Sequence, residues 1–332
     1  MSPKTKQNIL IPIVWFCWFF LLNIKSFADD KPIKLVLQWV PQAQFAGYYT
    51  ARKLGIYEIY GIDVTIIPGG PNVSVIDCIK TGKADFGTFF LLNATKRVAQ
   101  GIPLVNIAQV SRRSALMLVA KKSSSIFRPE DMNGKKIGIY KEDFSDIPLA
   151  FISNNRLDVT VVPIATGINI FLHGGTDLTN VMWYNEYHTI LNCGYNADEL
   201  TTFYMSDYGF NVPEDGIYCL RSTYDANPEA CERFIEATME GWLYAFQHPS
   251  EALDIIIEEM KAEHIPANLA HQQWMLARMR DIILPDGGYE FSTFLSEETY
   301  EMMGQILLKN ASISTLPAYN QFYLPVGKYA EK

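Results

Sequence analysis

The sequence has few of the residues that enzymes and nucleic-acid-binding proteins gather into motifs. It holds five histidines and five cysteines among 332 residues, and their spacing matches no metal site. Gly-x-Ser-x-Gly, a phosphate-binding glycine-rich loop and His-Glu-x-x-His are all missing. The 28 basic residues are outnumbered by 36 acidic ones, which gives a net charge of −8. This composition argues against a nucleic-acid partner, and no metal or cofactor is expected.

Long apolar runs are also scarce, and the clearest one lies at the N-terminus. Lys4 and Lys6 precede an apolar stretch over residues 9–22, and Ser-Phe-Ala follows at 26–28. This order predicts a secretory signal peptide over residues 1–28, because a run of about 14 residues is shorter than the roughly 20 that cross a bilayer. An uncleaved membrane anchor is the alternative. The mature chain is expected in the periplasm and is more acidic than the whole chain, since cleavage removes three lysines.

Four cysteines remain after cleavage: Cys78, Cys193, Cys219 and Cys231. They form no Cys-x-x-Cys pair, so buried thiols are expected, and one disulfide is an open alternative in an oxidising compartment. Sequence spacing does not determine which two cysteines would pair.

Two stretches of the chain resemble each other and predict two similar lobes. Residues 62–68 read Ile-Asp-Val-Thr-Ile-Ile-Pro, and residues 157–163 read Leu-Asp-Val-Thr-Val-Val-Pro. Each β-branched run predicts a buried strand, and each is followed by a helical pattern and a Gly-x-x-Asp segment, at 82–85 and 174–177. A strand, helix, strand unit that occurs twice indicates two α/β lobes. Ligands of open α/β sheets bind beyond the carboxyl ends of the strands, so the lobes are expected to face one cleft.

The pattern around these repeats sets the predicted lobe boundaries. Residues 29–120 and 220–332 are assigned to lobe 1, and residues 121–219 to lobe 2. From about Tyr218 onwards the chain reads as helical, with Asn227 as an N-cap residue before a proline. Further helices are predicted over residues 250–260, 267–284 and 296–309.

Aromatic and polar side chains collect at the predicted strand ends and helix starts. Rings there are suited to enclose a planar heteroaromatic ligand, and a carboxylate is suited to accept hydrogen bonds from its N–H groups. A place in the core is the alternative for Trp39, and an ordinary strand-to-helix turn is the alternative for residues 68–74. The pair Glu214 and Asp215 is interpreted as part of a solvated turn. The predicted ligand-binding residues are Trp39, Tyr48, Pro71, Asn72, Phe89, Asn93, Tyr140, Trp183, Tyr184 and Glu186.

Taken in order, several motifs resemble one family over nearly the whole mature chain. They are Trp39-x-Pro41, the segments 82–87 and 132–138, and Asn-Pro-Glu at 227–229. The family is that of periplasmic binding proteins for thiamine-pyrimidine precursors, related to sulfonate-binding proteins and to fungal thiamine-pyrimidine synthases. The resemblance implies a type 2 periplasmic-binding fold, in which two α/β lobes close on a ligand around a central cleft. It implies an ABC transporter permease as partner, and a monomer is expected.

The resemblance also implies roles for particular positions. In the pyrimidine binders, positions that resemble Trp39 and residues 183–186 contribute ring stacking and hydrogen bonds. Related riboflavin binders use the same cleft, so a flavin is an alternative ligand. A sulfonate such as taurine is another, with Arg112, Arg113 and the 71–74 turn as the groups to hold it.

A third alternative is an enzyme of the synthase type. The synthases require a lysine and a histidine at positions that match Phe89 and Asn93 of this chain, and they have a cysteine-rich stretch where residues 211–219 hold a single cysteine. These departures argue against the synthase reaction. The chain is therefore expected to bind its ligand and to leave it unchanged.

Overall fold

The structure, a computed structural model, describes residues 32–140, 144–284, 287–288 and 290–330. The predicted signal peptide lies outside the described residues. Within these ranges, no helix is both long and apolar enough to cross a bilayer.

Strands and helices alternate through most of the described chain and give way to helices towards its end. The strands are β1 (Ile33–Val36), β2 (Val64–Ile67), β3 (Phe86–Phe90), β4 (Leu104–Gln109), β5 (Leu116–Lys121), β6 (Lys136–Tyr140), β7 (Thr160–Ile164), β8 (Leu178–Met182), β9 (Leu200–Tyr204) and β10 (Asp215–Leu220). The helices are α1 (Ala46–Lys53), α2 (Ile56–Ile59), α3 (Val75–Lys80), α4 (Leu91–Ala99), α5 (Asp146–Asn154), α6 (Asn169–Leu172), α7 (Glu186–Asn192), α8 (Arg221–Ala226), α9 (Pro228–Gln247), α10 (Pro249–Ala262), α11 (Leu269–Ile283), α12 (Glu297–Lys309) and α13 (Tyr319–Phe322).

The strands form two five-stranded sheets with one shared topology. The first sheet has the order β2-β1-β3-β10-β4, and the second has the order β7-β6-β8-β5-β9. In each sheet the first three strands are parallel and the fourth runs antiparallel to its neighbours. The two similar stretches of sequence form β2 and β7, which occupy the same edge position. The predicted duplication is therefore confirmed at the level of the sheets.

The Gly-x-x-Asp segments have the same structural role in both sheets. The carboxylate of Asp85 accepts a hydrogen bond from the backbone N–H of Lys34 at 2.8 Å, and Asp177 accepts one from Lys136 at 2.8 Å. The glycine three residues earlier adopts a left-handed conformation, with φ of 70° and 76°, which ends the preceding helix. Each aspartate thus ties the third strand of the unit to the start of the first.

The chain changes from one sheet to the other earlier than the predicted boundaries at 120/121 and 219/220. The strand β5 belongs to the second sheet, because it pairs with β8 and β9. The strand β10 belongs to the first sheet, because it pairs with β3 and β4. The crossings therefore lie in residues 110–115 and 205–214, and Tyr218, predicted near the start of the helical region, lies in a strand. As a division into domains, the predicted boundaries stay a prediction.

The helices after β10 follow the sequence prediction closely. The side chain of Asn227 accepts a hydrogen bond from the N–H of Ala230 at 3.0 Å and caps α9, as expected. The helices α10, α11 and α12 match the three predicted windows within a few residues. Lobe 1 is here the first sheet with the helices packed on it, and lobe 2 is the second sheet with α5, α6 and α7.

The core of lobe 1 depends on a close approach between α1 and α9. A Cβ atom on Gly47 would lie 2.2 Å from the ring of Trp242, and one on Gly241 would lie 2.3 Å from the carbonyl oxygen of Gly47. Trp242 itself is 1% exposed. Two glycines therefore let a buried tryptophan pack directly against the backbone of α1, and the contact leaves no room for larger side chains.

Candidate functional site

A cavity of about 20 Å³ lies where strands of both sheets end. It is lined by Phe90 at the end of β3, Leu116 at the start of β5, Met182 at the end of β8, Phe144 beyond β6 and Glu214 just before β10. The rings of Phe90 and Phe144 meet edge to face, 5.1 Å apart. A cavity of this volume holds about one water molecule, so a larger molecule would fit only if the lobes moved apart.

The two crossing segments lie side by side and form the connection between the lobes. The backbone N–H groups of Val110 and Ser111 both donate to the carbonyl oxygen of Asp215, at 2.9 Å each. The N–H of Ser114 donates to the side chain of Asn211 at 2.9 Å. Paired connections of this kind are the expected position of a hinge, because a small change in their backbone angles moves one lobe as a whole.

Glu214 links these crossing segments to the cavity. Its Oε1 accepts a hydrogen bond from the hydroxyl of Ser114 at 2.7 Å, and the N–H of Ala115 lies 3.1 Å from Oε1 and 3.0 Å from Oε2. Its backbone carbonyl accepts a bond from Leu91 in lobe 1 at 2.8 Å. Burial raises the pKa of the carboxyl to about 8, although the bonds from Ser114 and Ala115 oppose that rise.

The neighbouring carboxyl, Asp215, is 5% exposed and is held by lobe 1. Gln38 donates to one of its oxygens at 2.5 Å and Gln44 to the other at 3.1 Å. Burial raises the pKa of Asp215 to about 6, against the effect of these two hydrogen bonds. The interpretation of Glu214 and Asp215 as a solvated turn is therefore wrong. Glu214 directly precedes β10 and Asp215 is its first residue, so their burial follows from the pairing of that strand, which the local sequence does not show.

Trp183, predicted to stack on a ligand, lies in a contact between the lobes. The guanidinium of Arg278 lies 4.7 Å from its ring centroid, and Tyr204 meets it edge-on at 5.9 Å. Its carbonyl oxygen accepts a hydrogen bond from the indole N–H of Trp274 in α11 at 3.0 Å. Trp183 is not among the residues that line the cavity, so its stacking role stays a prediction.

Tyr184 lies near the cavity carboxyls, and Glu186 lies at the start of α7. Tyr184 is 4% exposed, and its pKa is raised by burial and further by the charges of Asp215, Glu214 and Glu186. Glu186 accepts hydrogen bonds from the N–H of Met182 at 2.9 Å and from the side chain of Asn185 at 3.0 Å. Its pKa is raised by burial. In this conformation Glu186 stabilises the turn between β8 and α7.

The predicted residues of lobe 1 are divided between the surface and the core. Trp39 is 37% exposed, so the core alternative does not hold for it, and its carbonyl oxygen accepts a bond from the turn that contains Pro71 and Asn72. Pro71 and Asn72 are both exposed. Tyr48 is buried in lobe 1, edge-on to Trp242 at 5.9 Å.

Three more predicted residues lie near the ends of β3 and β6. Tyr140 donates from its hydroxyl to the carbonyl of Gly167 at 3.0 Å. Phe89 is partly buried and meets Tyr218 edge-on at 5.7 Å. Asn93 is 6% exposed, and its Oδ1 accepts no hydrogen bond from the described residues. A ligand-binding role for each of these residues stays a prediction.

Among the described residues, two more contacts between the lobes are built from polar side chains. In the first, called the histidine contact and formed by Asn185, His188, His271 and Trp274, the Nδ1 atoms of the two histidines lie 2.9 Å apart. His271 Nε2 lies 3.1 Å from Asn185 Oδ1, and the ring of His188 stacks on Trp274 at 4.8 Å. Burial, and next the neighbouring His188, lower the pKa of His271 to about 4. The sequence showed these histidines only as scattered residues.

In the second, called the lysine contact, Lys96 of α4 in lobe 1 forms an ion pair of 2.9 Å with Asp146 at the start of α5 in lobe 2. Ser312 donates to the other oxygen of Asp146 at 2.5 Å, and Asn310 donates to its carbonyl oxygen at 2.8 Å. Asp146 is 5% exposed. This carboxylate therefore receives two side-chain donors from lobe 1 and is fully paired.

Comparison with known proteins places the chain in a family. The family model described as NMT1/THI5 like matches residues 42–252, which is more than half of the chain. The chain belongs to this family. Its match includes most of both sheets and both crossings between them, so the cavity and the hinge lie within the shared region.

Relatives with assigned names include binding proteins and an enzyme. The riboflavin-binding protein RibY of Chloroflexus aurantiacus is 23% identical, over 90% of this chain and 88% of that protein. A formylaminopyrimidine-binding protein of Halalkalibacterium halodurans is 20% identical, over 72% of this chain and 74% of its own length. A 4-amino-5-hydroxymethyl-2-methylpyrimidine phosphate synthase of Legionella pneumophila is 24% identical, over 68% and 73%.

A solved structure supports the fold. The periplasmic aliphatic sulphonate binding protein SsuA of Escherichia coli superposes with a TM-score of 0.68, covers 92% of this chain and 96% of its own, and is 14% identical. At this identity the likeness shows the fold alone. The predicted fold class, a periplasmic-binding-protein fold with two α/β lobes, is confirmed.

Proposed function

We propose that the chain is an exported solute-binding protein of an ABC importer, which captures a small heteroaromatic ligand between its lobes and leaves it chemically unchanged. The observation that carries the proposal is the cavity between the sheets. Aromatic rings from both lobes, Phe90 and Phe144, meet there beside the carboxyl of Glu214. Apolar walls with a few placed polar groups are typical of sites for small planar ligands, and closure of the lobes would bury the ligand from water.

The relatives support two kinds of heterocycle. One is named for formylaminopyrimidine and another for riboflavin. Both ligands are planar and carry ring nitrogens, which fits rings and carboxyls better than it fits an anion site. A pyrimidine precursor of thiamine is the first candidate, and a flavin is the second because the riboflavin-binding relative aligns with 90% of this chain.

A sulfonate is disfavoured by the charges around the cavity. Asp215, whose pKa of about 6 leaves it a carboxylate at neutral pH, would repel an oxyanion, and none of the described residues that line the cavity is a cation. Arg112, one of the two arginines predicted for a sulfonate, donates to the carbonyl oxygen of Ser292 at 3.4 Å.

A synthase is disfavoured because Phe89 and Asn93 stand where the resemblance requires a lysine and a histidine.

Ligand titration of the purified mature protein tests the proposal. The probes are 4-amino-5-hydroxymethyl-2-methylpyrimidine and riboflavin, with taurine as the sulfonate control. Binding is expected to change tryptophan fluorescence, because Trp183 lies in a contact that moves with the lobes. A ligand at 100 times its Kd stabilises the folded state by about 2.7 kcal/mol, which a thermal unfolding curve detects. If neither heterocycle changes the fluorescence or shifts the thermal unfolding curve, the ligand class is refuted. A response to taurine alone would favour the sulfonate.

Export is tested separately. Expressed from its full sequence in a Gram-negative host, the protein is expected in the periplasmic fraction with a new N-terminus near Asp29, found by mass spectrometry of the intact chain. A membrane-bound protein that still begins at Met1 would support the uncleaved anchor.

A further inference from the structure

Glu214 is the ionisable residue, among those described, that belongs to both the cavity and the hinge. It lines the cavity, while its Oε1 accepts from the hydroxyl of Ser114 and its carboxyl lies within 3.1 Å of the N–H of Ala115. Ser114 and Ala115 end the first crossing, and Glu214 ends the second. A hydrogen bond between a ligand and Glu214 would therefore act directly on the two segments about which the lobes move.

The surroundings of this carboxyl favour its neutral form. The other cavity-lining residues, from β3, α4, β5, β8, α5 and the second crossing, are uncharged. The titratable groups that face it are Asp215 on β10 and Tyr184 after β8, and neither supplies a positive charge. Without a cation beside it, a carboxylate in an apolar cavity is disfavoured, and the hydrogen bonds from Ser114 and Ala115 offset this only in part. The pKa of about 8 agrees with this reasoning.

The hydrogen bonds also distinguish the two carboxyl oxygens. Ser114 donates to Oε1, which assigns Oε1 as the carbonyl-type acceptor on the hinge side. The proton of a neutral carboxyl then belongs on Oε2, which accepts the backbone N–H of Ala115 at 3.0 Å and has no side-chain partner among the described residues. A carboxylic acid with a free O–H beside aromatic walls matches a heterocycle that presents a ring nitrogen lone pair.

We propose that Glu214 donates a hydrogen bond from Oε2 to a ring nitrogen of the bound heterocycle, and through Oε1 couples occupancy of the cavity to the hinge. This inference rests on the proposed function and narrows it to heterocycles with an unprotonated ring nitrogen at the buried edge. An aminopyrimidine and a flavin both offer one. A sulfonate offers none.

The test is the pH dependence of binding, measured by calorimetry at pH 6.5 and pH 9.0 with the aminopyrimidine and riboflavin probes. With a pKa of about 8, the acid form falls about tenfold between these values, so the wild-type Kd is expected to rise about tenfold. Glu214→Gln keeps a donor at the cavity and an acceptor at the hinge without titrating. The Kd of this variant is expected to differ by less than threefold between pH 6.5 and pH 9.0. The probe itself titrates in the same way with both proteins, so its titration cannot account for a difference between them.

Two further variants complete the design. Glu214→Met fills similar volume without a hydrogen bond, and at pH 6.5 it is expected to bind at least tenfold more weakly. Glu58→Gln changes an exposed glutamate on α2 and is expected to behave as the wild type at both pH values. If Glu214→Met does not fold, the wild type and Glu214→Gln decide the question between them.

The possible outcomes separate this inference from the proposed function. A wild type that binds a probe with the same Kd at pH 6.5 and 9.0, or a Glu214→Gln variant with the wild-type pH slope, overturns the role of Glu214 and leaves the function standing. A wild type that binds neither probe at either pH overturns the ligand class and this inference with it. A flat profile in Glu214→Gln beside a tenfold slope in the wild type supports the inference, since a purely structural residue would not produce it.

Discussion

Acid is expected to weaken the histidine contact between the lobes. A neutral His271 donates from Nε2 to Asn185 and accepts at Nδ1 from Nδ1 of His188, 2.9 Å away. Protonation of His271 puts a second N–H against that of His188, so the hydrogen bond is lost and a positive charge is placed in a partly buried site. The folded protein resists this change, which is why the pKa of His271 is lowered to about 4.

Because the pKa of His271 is lower in the folded protein than in the unfolded chain, acid lowers the stability of the folded protein. In the unfolded chain His271 binds its proton near pH 6.5, while in the folded protein it does so near pH 4. The contribution to stability is therefore complete above pH 6.5 and is lost as the pH falls towards 4. For an unscreened group, the difference between these two pKa values would change the free energy of unfolding by about 3 kcal/mol. Partial exposure of the ring reduces this contribution to about 2 kcal/mol.

The measurement is urea unfolding followed by tryptophan fluorescence at pH 7.0 and pH 4.0. Other groups titrate in this range, so the informative quantity is the difference between the wild type and His271→Gln. The free energy of unfolding of the wild type should fall about 2 kcal/mol further than that of the variant. His173→Gln, at an exposed position after α6, is the control and should follow the wild type. Equal slopes for the wild type and His271→Gln would refute the reasoning.

Three other predictions concern residues outside the cavity. Asp146→Asn should lower the free energy of unfolding by about 3 kcal/mol, because Lys96 is left without its buried partner; urea unfolding measures it. Gly47→Ala should lower the free energy of unfolding by about 3 kcal/mol or abolish soluble expression, since no space exists for the added methyl group. A thermal melt of the purified variant measures the loss of stability. A thiol reagent should modify exposed Cys193 in the native protein and buried Cys219 only after unfolding, as read by mass spectrometry.

Much of the fold could be predicted because its signals are local. The strands β2 and β7 each consist of a short β-branched run before or around a proline, and α9 begins at an asparagine followed by proline. Those patterns depend on residues a few positions apart. The repeat of a Gly-x-x-Asp segment after each strand was informative for the same reason, because Asp85 and Asp177 bind backbone N–H groups in equivalent places.

The sheet assignment of β5 and β10 could not be read in the same way. An apolar run shows that a strand is buried but does not show which sheet it joins. The partners of β10 lie in β3 and β4, more than 100 positions earlier, and those of β5 lie in β8 and β9. The chain therefore passes between the sheets several residues before the predicted lobe boundaries, which stay a prediction as a division into domains.

The site was harder to predict because its polar groups are brought together from distant positions. Asp215 is buried by Gln38 and Gln44, which precede it by 177 and 171 residues. His188 and His271 are separated by 83. Two acidic residues after a proline look like a surface turn until the strands that cover them are known. Composition indicated a site without metal motifs, and it could not say which carboxyl lies at the cavity.

The two duplicated units share backbone hydrogen bonds at equivalent positions but differ in the side chains there. The N–H of Gln38 donates to the hydroxyl of Thr88 at 2.9 Å, and the N–H of Tyr140 donates to Asn180 at 3.0 Å, at equivalent places in the two sheets. These bonds fix the backbone where each first strand reaches the cleft. The side chains are then free to differ: that of Gln38 holds Asp215, whereas that of Tyr140 bonds within lobe 2. The backbone bonds thus keep one scaffold in both lobes, while the side chains at equivalent positions make different contacts, so a repeated scaffold carries an asymmetric surface at the cleft.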